Sequence, residues 1–244
     1  MKAMILCAGL GTRLKPWTDS HPKALVPVGG IPMLKRVLKK LADAGFDEIT
    51  LNVHHFADQI VSYLENEDLP VKNINVSDET DALLDTGGGI LRAENFLAAD
   101  DRPFLVHNVD ILSNADLSWL YRQHMEKGSH ITLLVSKRES NRRLVFNKDM
   151  ELKGWRNLTT CECRPEDMKV MSDDLEFAFS GIYVMSPEVF ALMKDNGYNG
   201  KFPIMNFFLS GINGLEISGV VQDYLDIIDI GKPDTLHRAN LEIG

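Results

Sequence analysis

The first half of the chain alternates short apolar runs with helical patterns, and this alternation constrains the fold more than any other feature. The strand-like runs are residues 2–8, 48–53, 71–76, 103–107 and 130–135, and the helical patterns lie near 32–44, 56–66, 88–97 and 116–127. This order predicts an α/β fold with a mainly parallel, mixed sheet flanked by helices. Ligands bind beyond the carboxyl ends of the strands in such sheets, so the loops that follow the strands are expected to hold the site.

The second half of the chain predicts an inserted hairpin followed by a return to the sheet. Residues 144–146 and 152–155 flank a short turn, and 157–174 are polar and irregular, so 137–176 is interpreted as an inserted hairpin and lid. The elements expected after it are a strand at 177–185, short helices at 187–193 and 203–209, a strand pair at 215–229 that turns near Gln222, and a helix at 233–241. No linker divides the chain, which predicts a single domain over residues 1–244.

Composition limits the partners of such a fold. The chain has 26 Lys and Arg residues against 35 Asp and Glu, a net charge of −9, which argues against a broad grip on nucleic acid or on an anionic membrane. No apolar run approaches the roughly 20 residues that span a bilayer, so a cytoplasmic protein is expected. Any phosphate-bearing ligand must therefore meet a local basic patch or a metal ion. The oligomeric state stays open.

The loop after the first predicted strand is a candidate phosphate site. Residues 8–13 read A-G-L-G-T-R, in which two glycines let backbone N–H groups approach a phosphate and Arg13 supplies a fork of donors. The loop is not a dinucleotide fingerprint, because Leu14 stands where the third glycine would fall, and it lacks the G-K-[ST] ending of a Walker A loop. Alone, a G-x-G segment is equally typical of an ordinary tight turn.

Five motifs in a fixed order make a much more specific pattern. The first motif joins G-L-G-T-R at 9–13 to P-K-A-L-V-P-V at 22–28. The other four are D-T-G-G-G-I at 85–90, N-V-D at 108–110, F-S-G-I at 179–182 and I-D-I-G-K-P at 228–233. In these motifs the chain resembles the sugar-1-phosphate nucleotidyltransferases, most closely the short MurNAc-1-phosphate uridylyltransferase and mannose-1-phosphate guanylyltransferase-like branch. The likeness covers nearly the whole chain. It implies a Rossmann-like version of the sheet predicted above, with the inserted hairpin as a lid for the sugar.

The resemblance implies in-line attack by the phosphate of a sugar 1-phosphate on the α-phosphorus of a nucleoside triphosphate, giving a nucleoside diphosphate sugar and pyrophosphate. UTP is the first expected nucleotide, with CTP or GTP as alternatives. Because two polyanions must meet, positioning and charge neutralisation dominate such catalysis. Arg13 is the candidate for gripping the β- and γ-phosphates, and Lys23 for bridging the α-phosphate and the attacking phosphate.

The resemblance also assigns a Mg²⁺ ion to Asp110 and Asp229. Each ends a predicted strand, and hard carboxylate oxygens suit Mg²⁺, which keeps waters and bridges to phosphate oxygens. From its position alone, Asp229 is more often an ordinary strand-end aspartate than a ligand. Val109 replaces the glycine that usually precedes the metal aspartate in this branch. As a β-branched residue it is expected to keep an ordinary φ.

The remaining site residues that the resemblance implies recognise the nucleotide and the sugar. The nucleotide-binding residues are Ala8, Gly9, Gly11, Thr12, Arg13, Lys23, Glu79, Gly87 and Gly88, and the sugar-binding residues are Asn108, Ser180 and Gly181. Glu79 would accept a hydrogen bond from a base N–H group, and the glycine run at 87–89 would give a flat surface and open a helix whose N-terminus favours anions. A turn in which Thr86 caps a helix explains part of that segment equally well.

Two other functions remain open at this stage. A glycosyltransferase that uses a nucleoside diphosphate sugar donor shares a nucleotide-binding parallel sheet and strand-end carboxylates, although N-V-D is not the D-x-D that such enzymes usually display. A non-catalytic sensor of nucleotide sugars would keep the fold without the activity. The presence of Arg13, Lys23, Asp110 and Asp229 argues against that loss.

Overall fold

A computed structural model describes residues 1–243, and Gly244, the last residue of the predicted domain, lies outside the described residues. The strands are β1 Lys2–Leu6, β2 Pro27–Val28, β3 Ile31–Pro32, β4 Glu48–Val53, β5 Asn73–Asp78, β6 Phe104–Asn108, β7 Ile111–Ser113, β8 Ile131–Ser136, β9 Arg142–Phe146, β10 Leu152–Asn157, β11 Cys163–Arg164, β12 Leu175–Met185, β13 Ile217–Val221 and β14 Ile227–Asp229. The helices are α1 Met33–Asp43, α2 Ala57–Asn66, α3 Asp85–Arg92, α4 Glu94–Leu97, α5 Leu117–Lys127, α6 Val189–Asp195, α7 Ile204–Phe208 and α8 Pro233–Ile243. Within residues 1–243, each helix is too short or too polar to cross a membrane.

Ten strands form one mixed sheet, which confirms the predicted fold class. Along its main path the order is β11-β10-β9-β12-β6-β1-β4-β5, and β8 and β13 continue the sheet from the other edge of β12. Strands β6, β1, β4 and β5 are parallel to one another, whereas β12 runs antiparallel to β6, β8 and β9. The carboxyl ends of β1 and β6 therefore meet at one edge of the sheet.

Two apolar layers hold helices against both faces of the sheet. Successive residues of β1 point to opposite faces, so Ala3 and Ile5 join one buried cluster while Met4 joins the other. The first cluster takes the apolar stripe of α1, and the second takes apolar residues of α3, α6 and α7. Burial of β1 on both faces explains its continuous apolar sequence.

The inserted segment at 137–176 forms β9, β10 and β11, which extend the main sheet along the amino-terminal half of β12. The predicted hairpin around 147–151 is present, since β9 and β10 pair antiparallel on either side of that turn. The interpretation of 157–174 as irregular is wrong at Asn157, which ends β10, and at Cys163–Arg164, where the chain returns to pair with β10.

The expected strand pair at 215–229 is not a pair. Strand β13 pairs in parallel with β8, and β14 pairs antiparallel with β7 instead. Near Gln222 the chain leaves the main sheet rather than turning back, because the Gln222 side chain accepts a hydrogen bond from the Asp116 N–H and the Asn114 amide donates to the Tyr224 carbonyl. These contacts carry β14 to the end of β6.

A buried polar network at the far end of the sheet predicts a pH dependence of stability. The His124 side chain is buried, with Nδ1 3.0 Å from Thr132 Oγ1 and Nε2 2.9 Å from Ser186 Oγ. Burial, which disfavours the charged imidazolium, lowers the pKa of His124 to about 4. Below pH ~6.5 His124 is therefore protonated in the unfolded chain, whereas in the folded chain it becomes protonated only near pH 4.

We expect the free energy of unfolding to be highest above pH ~6.5 and to fall as the pH drops toward 4, with His124 contributing about 1.4 kcal/mol per pH unit. Urea unfolding of wild type and His124→Gln between pH 7.5 and 4.5 measures this slope. In His124→Gln the slope of the free energy of unfolding against pH should fall by about the contribution of one proton. His237→Gln, at an exposed position on α8, is the control and should keep the wild-type slope. Equal slopes in wild type and His124→Gln would contradict the expectation.

Candidate active site at the carboxyl ends of β1, β6 and β14

In the loop after β1, Gly11 is required by the backbone conformation, and Gly9 faces open space. Gly11 has φ +64° and its carbonyl accepts from Thr18 Oγ1 at 2.9 Å, while a Cβ at this position would lie 2.8 Å from Thr18 Cγ2. Gly9 is exposed, and a Cβ there would meet no heavy atom within 4 Å. Thr12 and Arg13 follow in a short 3-10 turn and are also exposed. The loop therefore presents backbone and a guanidinium to a ligand, while Ala8 is buried at its start.

Lys23, a predicted catalytic residue, forms an ion pair with Asp110, a predicted metal ligand. Lys23 lies in a 3-10 turn at Lys23–Leu25, and its ammonium contacts the Asp110 carboxylate two residues beyond β6. The two side chains are only 12% and 16% exposed, so their attraction is less screened than that of a surface pair. Cys7 lies behind them, where burial and the nearby Asp110 charge raise the pKa of its thiol, so Cys7 stays protonated.

Asp229 lies beside Asp110 because β14 pairs with β7. Asp229 stands opposite Ile111 in that ladder, and the Ile230 N–H donates to the Asp110 carbonyl at 3.0 Å. The two carboxylates thus project from adjacent chain segments although they are far apart in sequence. Val109, between Asn108 and Asp110, stays outside the left-handed region, as its β-branched side chain predicts.

Arg13 reaches the same place from the loop after β1. A Cβ on Gly231 would lie 2.7 Å from Arg13 Nη2 and 2.8 Å from Asp229 Oδ1, and the Gly231 N–H donates to Asp229 Oδ1 at 2.8 Å. The absence of a side chain at Gly231 therefore leaves room for the guanidinium beside the carboxylate. Two cationic and two anionic side chains converge on one rim of an acidic protein.

The carboxylates of Asp110 and Asp229 fit a hard divalent cation. Both are oxygen donors on adjacent segments, and within the described residues no third His, Cys, Asp or Glu joins them in a metal-binding group. Two carboxylates with the remaining positions left to water and phosphate are typical of protein Mg²⁺ sites, in contrast to the fuller cages of Ca²⁺ or structural Zn²⁺.

Of the three residues expected to bind the sugar, two lie side by side at the end of β6 and one is buried. Asn108 ends β6, and Gly181, with φ +80°, lies beside it, since a Cβ at 181 would be 2.8 Å from Asn108 Nδ2. Ser180 is buried, where its hydroxyl donates to the Ile182 carbonyl and accepts from the Ile182 N–H. The expectation that Ser180 contacts the sugar does not fit this geometry, because its hydroxyl stabilises a β12 irregularity instead.

Glu79 also faces inward. The Glu79 side chain has no exposed surface, accepts from Asn52 Nδ2 at 2.8 Å, and has its pKa raised by burial. The expected contact between this carboxylate and a nucleobase is therefore inconsistent with the structure. Asn52 supports the site, since its Oδ1 also accepts from the Cys7 N–H at 2.7 Å and so joins the ends of β1 and β5. A lone asparagine in a strand gives no signal of that role in a single sequence.

The glycine run at 87–89 lies within α3 rather than before it, because the helix already begins at Asp85. The N–H groups of Gly87 and Gly88 both donate to the Phe202 carbonyl, and both residues are buried. A Cβ on Gly87 would lie 2.2 Å from the Phe202 ring, and one on Gly88 would lie 2.1 Å from the Gly200 carbonyl oxygen. The run lets α3 pack against the 200–202 segment, so Gly87 and Gly88 do not offer the predicted flat surface to a base.

We expect Gly87→Ala to lower the free energy of unfolding by about 1–3 kcal/mol, because the added methyl overpacks against the Phe202 ring. Chemical denaturation measures this change. Gly9→Ala is the matched control, since its Cβ enters open space, and should alter the free energy of unfolding by less than about 0.5 kcal/mol. Equal destabilisation by both substitutions would refute the packing role of Gly87.

His107, at the end of β6, is a structural residue. Its Nδ1 lies 2.8 Å from the Asn108 carbonyl, and burial lowers its pKa to about 4. A neutral, fully buried imidazole has no access to a reacting group. A structural role for His107 fits a reaction whose phosphate nucleophile is already ionised and needs no base.

An α/β sheet that gathers basic side chains and paired carboxylates beyond its strand ends is the architecture of a phosphate-binding enzyme. A family model described as "Nucleotidyl transferase" matches residues 2–244. The chain belongs to this family, among the sugar-1-phosphate nucleotidyltransferases, which confirms the resemblance seen in the motifs.

Curated relatives carry several nucleotide specificities in their names. N-acetylmuramate alpha-1-phosphate uridylyltransferase of Neisseria meningitidis serogroup B is 34% identical over 191 residues, 78% of this chain and 77% of that protein. Mannose-1-phosphate guanyltransferase of Emericella nidulans is 41% identical over 139 residues, 56% of this chain and 38% of that protein. UTP–glucose-1-phosphate uridylyltransferase of Synechocystis is 31% identical over 201 residues, 78% of this chain and 50% of that protein. The chain thus spans half or less of the length of the last two relatives.

Solved structures share the fold. HddC from Yersinia pseudotuberculosis, complexed with GMP-PN, superposes with a TM-score of 0.76 at 23% identity, covering 100% of this chain and 99% of that one. A putative glucose-1-phosphate thymidylyltransferase from Bacillus anthracis gives 0.80 at 20% identity, covering 100% and 95%. At these identities the likeness concerns the architecture alone.

Proposed function

We propose that the protein transfers a nucleotidyl group from a nucleoside triphosphate to a sugar 1-phosphate, releasing pyrophosphate and forming a nucleoside diphosphate sugar. The observation that carries this proposal is the convergence of Arg13, Lys23, Asp110 and Asp229 at one rim of the sheet. The reaction needs such a rim because its two substrates repel each other. The names of the relatives, which are uridylyl- and guanylyltransferases of sugar 1-phosphates, support it.

The reaction forms one bond and breaks one bond at the α-phosphorus. A phosphate oxygen of the sugar 1-phosphate attacks, and the bridging bond to the β-phosphate breaks, so its electron pair leaves with pyrophosphate. Arg13 binds the β- and γ-phosphates and stabilises the charge that develops on the leaving group. Lys23 places one positive charge between the α-phosphate and the incoming phosphate, while the open backbone at Gly9, Gly11 and Thr12 accommodates the nucleotide.

Asp110 and Asp229 would hold a Mg²⁺ ion. When bound, the ion supplies positive charge that neutralises phosphate oxygens. The contribution of this chain is the pair of carboxylates, together with the Gly231 N–H that fixes the orientation of Asp229.

UTP is the nucleotide that we propose first, because a relative that matches 78% of this chain over 77% of its own length is named a uridylyltransferase. GTP and CTP are alternative nucleotides, since the buried Glu79 carboxylate cannot select the base. We propose that Asn108 and Gly181 contact the sugar and that the inserted segment at 137–176 covers it, the whole acting as one catalytic domain.

A substrate matrix tests the proposal. Purified protein with Mg²⁺ is incubated with UTP, GTP, CTP or ATP against N-acetylmuramate, mannose and glucose 1-phosphates, and pyrophosphate release is measured. We expect release with at least one pair, and only when both substrates are present. Consumption of a preformed nucleotide sugar with transfer of the sugar to an acceptor would instead indicate a glycosyltransferase. Tight binding of a nucleotide sugar without turnover of any pair would indicate a sensor.

A further inference from the structure

Arg138 is a solvent-accessible arginine to which the reaction scheme above assigns no role. It follows β8 at the root of the inserted segment, and its Nη2 donates to the Phe179 carbonyl at 3.0 Å. That partner is neutral, whereas other arginines of the chain pair with carboxylates: Arg92, Arg102, Arg156, Arg164 and Arg238. The charge of Arg138 is therefore not neutralised through its own hydrogen bond.

Charged groups of both signs surround Arg138. Burial lowers the pKa of Arg138, the nearby Asp229 carboxylate opposes that effect, and the Arg143 guanidinium adds repulsion. Arg143 also donates to the Arg138 carbonyl at 3.1 Å, so the two arginines are held together. Two adjacent guanidinium-bearing side chains form a site that an anion stabilises.

The position of Arg138 indicates which anion. The Phe179 carbonyl that it contacts belongs to the irregular part of β12, where pairing with β8 shifts between Phe179 and Tyr183. Within that irregularity Gly181 lies against Asn108, the two residues proposed for the sugar. Arg138 thus contacts the strand segment that carries Gly181 and lies within electrostatic range of Asp229. Arg13 and Lys23, by contrast, belong to the loop segment that follows β1.

We propose that Arg138 binds the phosphate of the sugar 1-phosphate and holds it in line for attack, so that the inserted segment supplies a third cation to the site. This inference rests on the proposed function and deepens it. Its planar fork suits the task, because one Nη can keep its bond to Phe179 while the remaining N–H groups reach phosphate oxygens. Arg143 is then a positioning residue for Arg138.

The test compares Arg138→Gln and Arg138→Lys with wild type and with Arg122→Gln, which removes the same charge from an exposed position on α5. Using the substrate pair that releases pyrophosphate in wild type, we expect Arg138→Gln to raise the KM for the sugar 1-phosphate at least about tenfold and to leave the KM for the nucleoside triphosphate within about twofold. Arg138→Lys, which keeps the charge, should show a smaller rise. In the reverse direction the KM for the nucleotide sugar should rise and that for pyrophosphate should not.

Calorimetric binding of glucose 1-phosphate and mannose 1-phosphate in the absence of nucleotide separates this inference from the proposed function. Wild type that binds either compound but forms no pyrophosphate would reject the proposed function, and at least about tenfold weaker binding by Arg138→Gln would still support the inference. Equal binding by wild type and Arg138→Gln, or no binding by wild type, would overturn it. So would a rise in both KM values together with a lowered unfolding midpoint, because Arg138 would then only brace the Phe179 carbonyl.

Discussion

Replacing Lys23 by alanine is expected to lower kcat at least about a hundredfold, because the ammonium neutralises charge where two phosphate groups approach in the transition state. Lys23 is only 12% exposed and contacts Asp110, so its charge acts in a weakly screened environment. Pyrophosphate release at saturating substrates measures kcat directly. The substitution also leaves the Asp110 carboxylate without its partner, so the free energy of unfolding must be measured in parallel to show that the loss of turnover is chemical.

Lys15→Ala is the matched control for Lys23→Ala. Lys15 lies in the same loop region, but its side chain is 60% exposed and pairs with Asp19 on the surface. Surface pairs of this kind contribute little, so kcat should stay within about twofold of wild type. If Lys23→Ala keeps wild-type kinetics, Lys23 has no part in the mechanism. If Lys15→Ala loses as much activity as Lys23→Ala, the effect reflects the charge of the whole loop rather than one ammonium group.

The sequence predicts those elements whose local residue pattern is distinctive. Burial on both faces makes β1 continuously apolar, and the following loop has two glycines and Arg13, so both strand and loop are visible in the pattern. Asp110 could be placed at the carboxyl edge of the sheet because it follows β6, a strand of the parallel part. Asp229 ends β14, which lies outside the main sheet. The ladder that joins them could not be predicted, since β7 and β14 have only three residues each and pair far apart in sequence.

Residues that depend on distant packing partners were misinterpreted. Glycines at 87 and 88 suggest a loop, yet they lie inside a helix because Phe202 and Gly200 press against it more than 100 residues later. Glu79 reads as an exposed loop carboxylate, but Asn52 satisfies it in the interior. In both cases the identity of the residue is explained by a neighbour that no local pattern reveals.

Asp110, which pairs with Lys23, is the second residue whose replacement should strongly lower kcat. Asp110→Asn preserves the shape of the side chain and an oxygen that can accept from Lys23, but it removes the negative charge that a divalent cation requires. We expect kcat to fall at least about a hundredfold and the Mg²⁺ concentration for half-maximal activity to rise, both read from pyrophosphate release over a Mg²⁺ titration. Asp223→Asn, at an exposed position before β14, should change neither quantity.

Chelation tests the dependence of turnover on a divalent cation independently of the Asp110→Asn substitution. Wild-type turnover should stop in EDTA and return with excess Mg²⁺, because Asp110 and Asp229 supply only two protein ligands and the ion exchanges with solvent and substrate. Asp110→Asn and chelation act on one interaction, so their effects should not multiply: EDTA should remove little of the activity that the variant retains. Full wild-type turnover under thorough chelation would exclude the metal, and the Asp110 carboxylate would then serve to hold Lys23 in position for the phosphates.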